Sequence, residues 1–267
     1  MTIFDFYTQY ISKFNTEQKR DFVWLIEART NTQYLDWKQT QIPQKVVAQL
    51  NFDMENLLLG KPLAYILGET EFLGCKIKVN HNVLIPRPET EQLCDMISKD
   101  LAGKTAKVLD LCTGSGCIAI ALKQHNSNLQ VIASDKSEQA LLIAEQNAKL
   151  NNVEIEFILS DMFAQLNNSF DVIVSNPPYL NLSNKEDYPK SLDFEPQLAL
   201  WGGEDGLDFY RIIASKSIQF LNKNGIIYLE IGHDQAQSVK ELFSVNFDVE
   251  VLNDYFGVKR FIIARRK

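Results

Sequence analysis

Hydrophobic residues recur at helical spacing along the first 70 residues of the chain. Ile3, Phe6 and Tyr10 fall on one helical face, and Asn15 or Thr16 can cap the N-terminus of a second helix. Pro43 suits the first turn of a further helix, and Gly60 suits a helix end. The pattern predicts a small helical bundle in which the aromatic side chains form the core.

The hydrophobic period changes near residue 70, where apolar and polar residues begin to alternate. Ile77 and Val79 alternate with Lys76, Lys78 and Asn80, and an apolar run at 83–85 follows. This pattern predicts a β-hairpin made of these two runs. The predicted organisation is therefore a helical domain at 1–72, a hairpin linker at 73–90 and a main domain at 91–267.

From residue 107 onward, predicted strands and helices alternate, which is typical of an α/β fold with a doubly wound sheet. The predicted strands are 107–112, 129–134, 154–159, 170–175, 225–231, 247–252 and 258–264. The predicted helices are 116–125, 137–150, 205–221 and 234–244. The turn between the last two strands is too short for a crossover helix, so we expect them to pair antiparallel. Residues 180–200 are weakly patterned and are a candidate lid.

Composition and charge narrow the function classes. The chain has 267 residues, of which 45% are hydrophobic and 23% charged, as in globular proteins. A net charge of −7 argues against a protein whose main task is to coat nucleic acid. The four cysteines lack metal-ligand spacing and there are only three histidines, so no metal site is predicted. No transmembrane-length apolar run or signal-peptide pattern occurs, and we expect a reduced, cytoplasmic protein with no membrane role.

A glycine-rich turn follows the first strand of the alternating part. The turn is Cys112-Thr113-Gly114-Ser115-Gly116, and a helix follows it. Glycines let the backbone approach a ligand, and the helix N-terminus presents free N–H groups. Asp135 closes the next strand, where a carboxylate can hold two ribose hydroxyls. Gly114, Gly116 and Ala119 also match G-x-G-x-x-A, so these residues alone leave a nicotinamide-dinucleotide site open.

Two further strand ends carry polar groups. Asp161 can accept from an adenine amino group, and Met162 or Phe163 can cover the ring. Asn176 ends a buried strand and opens Asn176-Pro177-Pro178-Tyr179. Carboxyl ends of parallel strands share one edge of the sheet, so we expect Asp110, Asp135, Asp161 and Asn176 to converge there.

The Asn-Pro-Pro-Tyr tetrad suits a planar –NH2 group. The Asn176 carboxamide and the Pro177 carbonyl each offer an acceptor, and Tyr179 offers a flat ring. An adenine-ribose site beside such a tetrad suggests S-adenosylmethionine. Acceptors at Asn176 and Pro177 would stabilise positive charge growing on an amide nitrogen, and Tyr179 suits packing better than base catalysis.

These residues resemble the bacterial release factor glutamine methyltransferases of the HemK/PrmC type. The resemblance covers nearly the whole chain, through Pro62 to Gly68, Val83 to Glu91, Thr113 to Ala119, Asn176 to Tyr179, Glu195-Pro196, Gly202 to Leu207, Leu229 to Gly232 and Arg260 to Arg265. Asn-Pro-Pro-Tyr by itself is shared with DNA adenine methyltransferases and other amino-methylating enzymes, and the run from Pro86 to Glu91 is much more specific than that tetrad.

The resemblance implies a fold, a reaction and a partner. The fold would be a seven-stranded, Rossmann-like class I methyltransferase domain joined by the hairpin to a small N-terminal helical bundle. The enzyme would transfer methyl from S-adenosylmethionine, leaving S-adenosylhomocysteine, to the glutamine N5 in the Gly-Gly-Gln motif of peptide chain release factors 1 and 2. The helical domain would help to dock the release factor. Nothing in the sequence demands more than a monomer.

The resemblance also implies site residues. Asn176 to Tyr179 would bind the glutamine and perform catalysis, and Asn176 would also contact the cofactor. Thr113 to Gly116, Asp135 and Met162 would bind the cofactor, beside Cys112, Asp161 and Phe163. Cys112 stands where the family usually has glycine, so we expect this turn to keep an ordinary φ there. Met162 stands where an aromatic residue is common, which would weaken adenine stacking.

Other classes compete for the same features. A DNA adenine-N6 or ribosomal RNA guanine-N2 methyltransferase would use the same tetrad, but it would also need a basic recognition face. Residues 1–70 carry both signs of charge and no dense Lys/Arg run. The intact tetrad counts against a binding module without catalysis, and the hairpin-joined last strand counts against a nicotinamide-dependent oxidoreductase.

Overall fold

A computed structural model describes residues 1–267, apart from the side chain of Glu17. The chain divides into two compact units. Unit 1 contains Met1–Glu69 and Pro189–Phe194, and unit 2 contains Thr70–Tyr188 and Glu195–Lys267. None of the described helices is long and apolar enough to cross a membrane.

Unit 1 is a helical bundle, as the sequence pattern predicts. Its helices are α1 (Ile3–Tyr10), α2 (Thr16–Thr30), α3 (Gln44–Leu58) and α4 (Leu63–Leu67). Asn15 caps α2, and its side chain accepts from the Gln18 amide at 2.9 Å. Phe6, Phe22 and Trp37 are completely buried in this core. The aromatic side chains therefore stabilise the bundle, as expected.

The hairpin differs from its prediction. Its strands are β1 (Glu69–Phe72) and β2 (Cys75–Lys78), whereas residues 83–85 form no strand. The predicted pairing of the runs at 77–79 and 83–85 is therefore wrong. Leu73 and Gly74 form the turn at φ 45° and 76°, and positive φ at both central residues is what a tight two-residue hairpin requires. Leu-Gly is an unusual pair for such a turn, so no clear turn signal marks this position in the sequence.

Helix α7 (Glu138–Leu150) and the residue after it hold strand β2 through two asparagine side chains. Asn147 bonds the amide and carbonyl of Lys78 at 2.8 and 3.0 Å. Asn151 bonds the amide and carbonyl of Lys76 at 3.1 and 2.8 Å. Asn147 is completely buried and also donates to the Ser115 carbonyl at 2.9 Å. One side chain thus ties the hairpin to the glycine-rich turn.

A seven-stranded sheet forms the centre of unit 2. The strands are β3 (Lys107–Leu111), β4 (Gln130–Asp135), β5 (Glu156–Leu159), β6 (Phe170–Ser175), β7 (Leu221–Glu230), β8 (Phe247–Asn253) and β9 (Lys259–Arg266). Their order is β5-β4-β3-β6-β7-β9-β8, and β9 runs antiparallel to both of its neighbours. The predicted strands and the antiparallel final pair are confirmed, and so is the α/β fold class.

The remaining helices are α5 (Pro88–Asp100), α6 (Cys117–His125), α8 (Asp208–Lys216) and α9 (Ala236–Phe243). The helix predicted at 205–221 is shorter, because a 3₁₀ turn at Ser217–Gln219 follows it. In the sheet register Leu111 lies beside both Ser134 and Ser175. The ends of the three central strands therefore lie level, which brings the polar groups that follow them to one edge.

Candidate active site at the carboxyl edge of the sheet

A cavity in unit 2, here called the edge cavity, collects most of the predicted site residues. Those that line it are Cys112 to Ser115, Asp135, Asp161, Met162, Asn176 and Pro178. Gly116, Phe163, Pro177 and Tyr179 lie outside its lining. Arg87, Thr90 and Phe209 also line it. Cofactor-side and tetrad residues thus share one pocket.

The glycine-rich turn reaches positive φ at three positions. Gly114 and Gly116 have φ of 56° and 81°, and Cys112 has φ of 64°. The expectation that Cys112 keeps an ordinary φ is therefore wrong, because the tight exit from β3 takes left-handed backbone at this cysteine. A left-handed non-glycine residue costs roughly 1–2 kcal/mol. At Gly116 a side chain would also collide, because an added Cβ would lie 3.0 Å from the Ala144 Cβ.

Asp135 lies directly against this turn. Its carboxylate accepts from the backbone amide of Gly114 at 2.8 Å and from that of Ser137 at 2.9 Å. Burial raises the pKa of Asp135, while the two amides oppose that rise. A carboxylate has about four lone-pair sites, so this group can still accept from two hydroxyls.

The residues after β5 have three different surroundings. Asp161 is more than half exposed and pairs with Lys136 at 2.8 Å. Met162 is buried at φ 52°, and the Cys112 thiol donates to its sulfur at 3.8 Å. Phe163 stacks on Phe220 with ring centroids 4.9 Å apart, within the core of the sheet. Met162 therefore offers apolar surface to the cavity, whereas Phe163 belongs to the core cluster and does not line the cavity.

Asp110 supports the turn from inside the protein. It is completely buried, and its Oδ2 accepts from the Thr113 hydroxyl at 2.5 Å and from the Ala119 amide at 3.1 Å. Its Oδ1 has no hydrogen-bond partner among the described residues. Burial raises the pKa of Asp110 to about 7.

The Asn-Pro-Pro-Tyr tetrad follows β6 and is held by neighbouring backbone and side chains. The Asn176 Nδ2 donates to the Thr90 hydroxyl at 3.0 Å, and the Tyr179 carbonyl accepts from Gln235 at 2.9 Å. Gly202 packs so closely that an added Cβ would lie 2.6 Å from the Pro178 carbonyl oxygen. These contacts fix the tetrad backbone.

Two residues beneath the tetrad were not singled out by sequence reasoning. The Thr90 hydroxyl donates to Glu230 Oε2 at 2.6 Å, and the Tyr179 hydroxyl lies 3.4 Å from Glu230 Oε1. Burial raises the pKa of Glu230 to about 7, with the Thr90 hydrogen bond opposing the rise. In the sequence, Thr90 and Glu230 stand out only as members of the family motifs. No local pattern links them, because 140 residues separate them in the chain.

Burial also determines what Tyr179 can do. It raises the pKa of this phenol, and the nearby Glu230 carboxylate raises it further. The hydroxyl therefore stays protonated near neutral pH and is unsuited to act as a base. The ring of Tyr179 packs on the sheet core, and the packing role toward a substrate that the sequence predicts for it stays a prediction.

An ion pair closes one wall of the edge cavity. Arg87 pairs with Glu195, and Glu195 Oε2 also accepts from the Ile85 amide at 3.1 Å. Glu195 is buried, whereas Arg87 is partly exposed. Two of the motifs that carry the family resemblance are thus held together by one carboxylate.

The described residues contain no group of three or more His, Cys, Asp or Glu side chains placed to hold a metal ion. The site offers instead a glycine-rich turn, a carboxylate at the end of β4, an apolar wall at Met162 and a carboxamide at Asn176. These groups fit an adenosine-containing cofactor next to a planar amino group.

Known proteins resemble this chain over most of its length. Residues 88–188 match the methyltransferase small domain family. A release factor glutamine methyltransferase of Lactococcus lactis is 40% identical over 92% of this chain and 93% of its own. A protein of the same name from Flavobacterium psychrophilum is 45% identical over 76% of this chain and 74% of its own. The solved structure of a methyltransferase from Pyrococcus furiosus, 18% identical, superposes with a TM-score of 0.56 over 84% of this chain and 99% of its own, which shows the same fold.

Proposed function

We propose that this chain, which belongs to the release factor glutamine methyltransferase family, methylates the N5 of the Gly-Gly-Gln glutamine in peptide chain release factors 1 and 2. It is an enzyme that uses S-adenosylmethionine and releases S-adenosylhomocysteine. The observation that carries this proposal is the edge cavity, where Asn176 and the cofactor-side groups Gly114 and Asp135 line one space.

The cofactor side of the site comes from β3, β4 and the residues after β5. Asp135 would hold the ribose hydroxyls, and the turn from Cys112 to Gly116 would lie along the cofactor backbone. Met162 would cover the adenine, and Asp161 would accept from its amino group. The cofactor supplies a methyl group that is already electrophilic, so the protein's main task is alignment.

The substrate side comes from the tetrad. An amide nitrogen is a weak nucleophile, and positive charge grows on it as the methyl group arrives. The Asn176 Oδ1 and the Pro177 carbonyl would accept from this –NH2 group and stabilise that charge. The two prolines fix the carbonyl direction. Tyr179 would pack against the substrate amide as a protonated, neutral phenol.

Several parts of the proposal concern the whole chain. The helical domain at 1–72 would dock the release factor, the segment 73–90 would link it to the catalytic domain at 91–267, and residues 180–200 would act as a lid. We propose that the protein is cytoplasmic, because its substrate works in translation. We also propose a monomer, because nothing in the sequence demands more. No direct role in nucleic acid binding is proposed, since the relatives are named for a protein substrate.

Methyl transfer from labelled S-adenosylmethionine tests the proposal. Purified protein is incubated separately with an unmodified release factor, duplex DNA and ribosomal RNA, and mass spectrometry locates the label. We expect one methyl group on the Gly-Gly-Gln glutamine and none on a release factor with alanine there. Asn176→Ala should fold normally and lose nearly all turnover. Label in nucleic acid alone would overturn the assigned substrate.

A further inference from the structure

The carboxamide of Asn176 has two chemically opposite ends. Its oxygen accepts hydrogen bonds and its –NH2 group donates them, yet the two ends have almost the same shape. A substrate –NH2 group needs the oxygen. If the –NH2 end of Asn176 faced the substrate, two donors would meet, so something in the protein must distinguish the two orientations.

A chain of two hydrogen bonds leads away from Asn176 into the protein. Its Nδ2 donates to Thr90 Oγ1 at 3.0 Å, and Thr90 Oγ1 donates to Glu230 Oε2 at 2.6 Å. Thr90 and Glu230 are 3% and 1% exposed. Thr90 lies in the first turn of α5 and Glu230 ends β7, so two different elements hold these two hydrogen bonds in place.

The number of hydrogens that each group can donate fixes the direction of these two hydrogen bonds. A threonine hydroxyl has one hydrogen to donate. When Glu230 is ionised it can only accept, so the Thr90 hydrogen points at Glu230. Thr90 can then only accept from Asn176, and only the –NH2 end of the carboxamide can donate. The Asn176 oxygen must therefore face away from Thr90.

We propose that Thr90 and Glu230 are positioning residues that orient the Asn176 carboxamide with its oxygen toward the substrate amide. The inference deepens the proposed function, and its statement about the substrate rests on that function. Neither residue needs to touch the substrate, because both act through Asn176. The orientation of Asn176 itself is a property of the protein alone.

Protonation of Glu230 would remove this direction. A protonated carboxyl can donate to Thr90, which frees the Thr90 hydrogen to bond the Asn176 oxygen, so the carboxamide can turn round. The groups that face Glu230 are Glu89 at the start of α5, Cys117 at the start of α6, Arg260 of β9, and the hydroxyls of Tyr179 and Tyr210. Burial and Glu89 favour the protonated form, while Thr90, Arg260 and Tyr179 favour the ionised one. The productive orientation is therefore gained as pH rises through about 7.

Thr90→Val and Thr90→Ser form a matched pair that tests the hydroxyl. Valine keeps the shape of threonine without the hydroxyl, and serine keeps the hydroxyl without the methyl group. For Thr90→Val we expect kcat on the release factor to fall about tenfold or more, with KM changed less than about threefold. Thr90→Ser should stay within about threefold of the wild type in both constants. Equal kcat for Thr90→Val and the wild type would overturn the proposal.

Glu230→Gln tests the ionisation. Glutamine still offers an acceptor to Thr90 but cannot titrate. Wild-type kcat should rise between pH 6 and pH 8, and this rise should be clearly smaller in Glu230→Gln, where Asp110, whose pKa is also about 7, still titrates. An unchanged profile in the variant would show that another group titrates and would overturn the role of Glu230.

A substrate-free measurement separates this inference from the proposed function. The side-chain –NH2 signals of Asn176 in nitrogen-15 NMR spectra are assigned by their loss in Asn176→Ala. In the wild type they should shift with pH near neutrality, and in Glu230→Gln they should not. If the signals shift with pH in this way while the release factor stays unmethylated, the proposed substrate is wrong, but the orienting role of Thr90 and Glu230 is supported. If the glutamine is methylated while the Asn176 signals show the same pH dependence in the wild type and in Glu230→Gln, the orienting role of Glu230 is wrong, but the proposed substrate is supported.

Discussion

At the scale of single residues, the site depends on carboxylates in contrasting surroundings. Asp135 is partly buried against the glycine-rich turn, and its carboxylate accepts from two backbone amides. Asp161 lies at the same edge of the sheet, is exposed and pairs with Lys136. Exposed pairs contribute little, whereas hydrogen bonds to a partly buried carboxylate contribute more. The two acids should therefore differ in their importance for the cofactor.

Asp135→Ala and Asp161→Ala compare these two acids directly. We expect Asp135→Ala to weaken S-adenosylhomocysteine binding about tenfold or more, because charged hydrogen bonds to two hydroxyls are lost. Asp161→Ala should weaken it less than about threefold. Isothermal titration calorimetry measures both affinities, and thermal melting checks the fold. Unchanged affinity in Asp135→Ala would remove this residue from the ribose site.

Residue identity alone gave much of the site, but not its supports. The polar groups that end the strands were visible in the sequence because each follows a run with the pattern of a strand. Thr90 and Glu230 were not, because a contact across 140 residues leaves no local pattern. The positive φ of Cys112 was also hidden, since a cysteine gives no sign of left-handed backbone.

At the scale of elements, the tetrad loop is shaped by the segment that packs on it. Gly202 donates to the Leu180 carbonyl at 2.9 Å, and Leu180 donates to the Leu200 carbonyl at 2.8 Å. The Pro178 carbonyl lies so close to Gly202 that no side chain fits between them. The direction of the tetrad therefore depends on a glycine more than 20 residues away in the chain.

Gly202→Ala should disturb both stability and catalysis. The new methyl group would lie 2.6 Å from the Pro178 oxygen and 2.7 Å from the Gly206 oxygen, so backbone must move. We expect the unfolding free energy to fall by about 2 kcal/mol, as for other overpacked sites, with a larger relative loss of kcat. Urea unfolding and turnover measure these effects. Val245→Ala, at an exposed side chain far from the proposed site and lid in the sequence, is the control and should change neither.

Elements with a clear pattern of hydrophobic residues were predictable, whereas elements whose position depends on turn geometry were not. The strands β3 to β9 carry apolar runs, and helices separate most of them, so their positions followed from the sequence. The hairpin was placed a few residues late, because its turn is Leu73-Gly74 and its second strand is held by Asn147 and Asn151 from a distant helical region. Nothing near residue 75 signals those contacts.

At the scale of the whole molecule, unit 1 exposes apolar side chains that its core does not use. Trp24 is 48% and Phe52 is 62% exposed, while the core of unit 1 is closed by Phe6, Phe22 and Trp37. Exposed aromatic residues are frequent anchors of protein interfaces. They are reasonable contacts for the docking role that we propose for the helical domain.

Trp24→Ala combined with Phe52→Ala tests that docking role. We expect KM for the intact release factor to rise about fivefold, because a buried interface anchor contributes more than about 1 kcal/mol, while kcat stays unchanged. KM for a short Gly-Gly-Gln peptide should not change. Leu142→Ala, at a side chain 46% exposed on α7, serves as the control. Equal KM values for the double variant and the wild type would argue against docking by this surface.

The two asparagines that bond strand β2, Asn147 and Asn151, affect how the protein behaves at high concentration. Residues two apart in a strand are separated by about 6.6 Å, and residues four apart in a helix by about 6 Å. Asn147 and Asn151 can therefore imitate a neighbouring strand, and they satisfy the amide and carbonyl of both Lys76 and Lys78. A short hairpin would otherwise present these groups to any extended chain. The β2 edge is already saturated at Lys76 and Lys78, so this edge offers no template for intermolecular pairing, and losing both asparagines should turn it into a nucleus for aggregation.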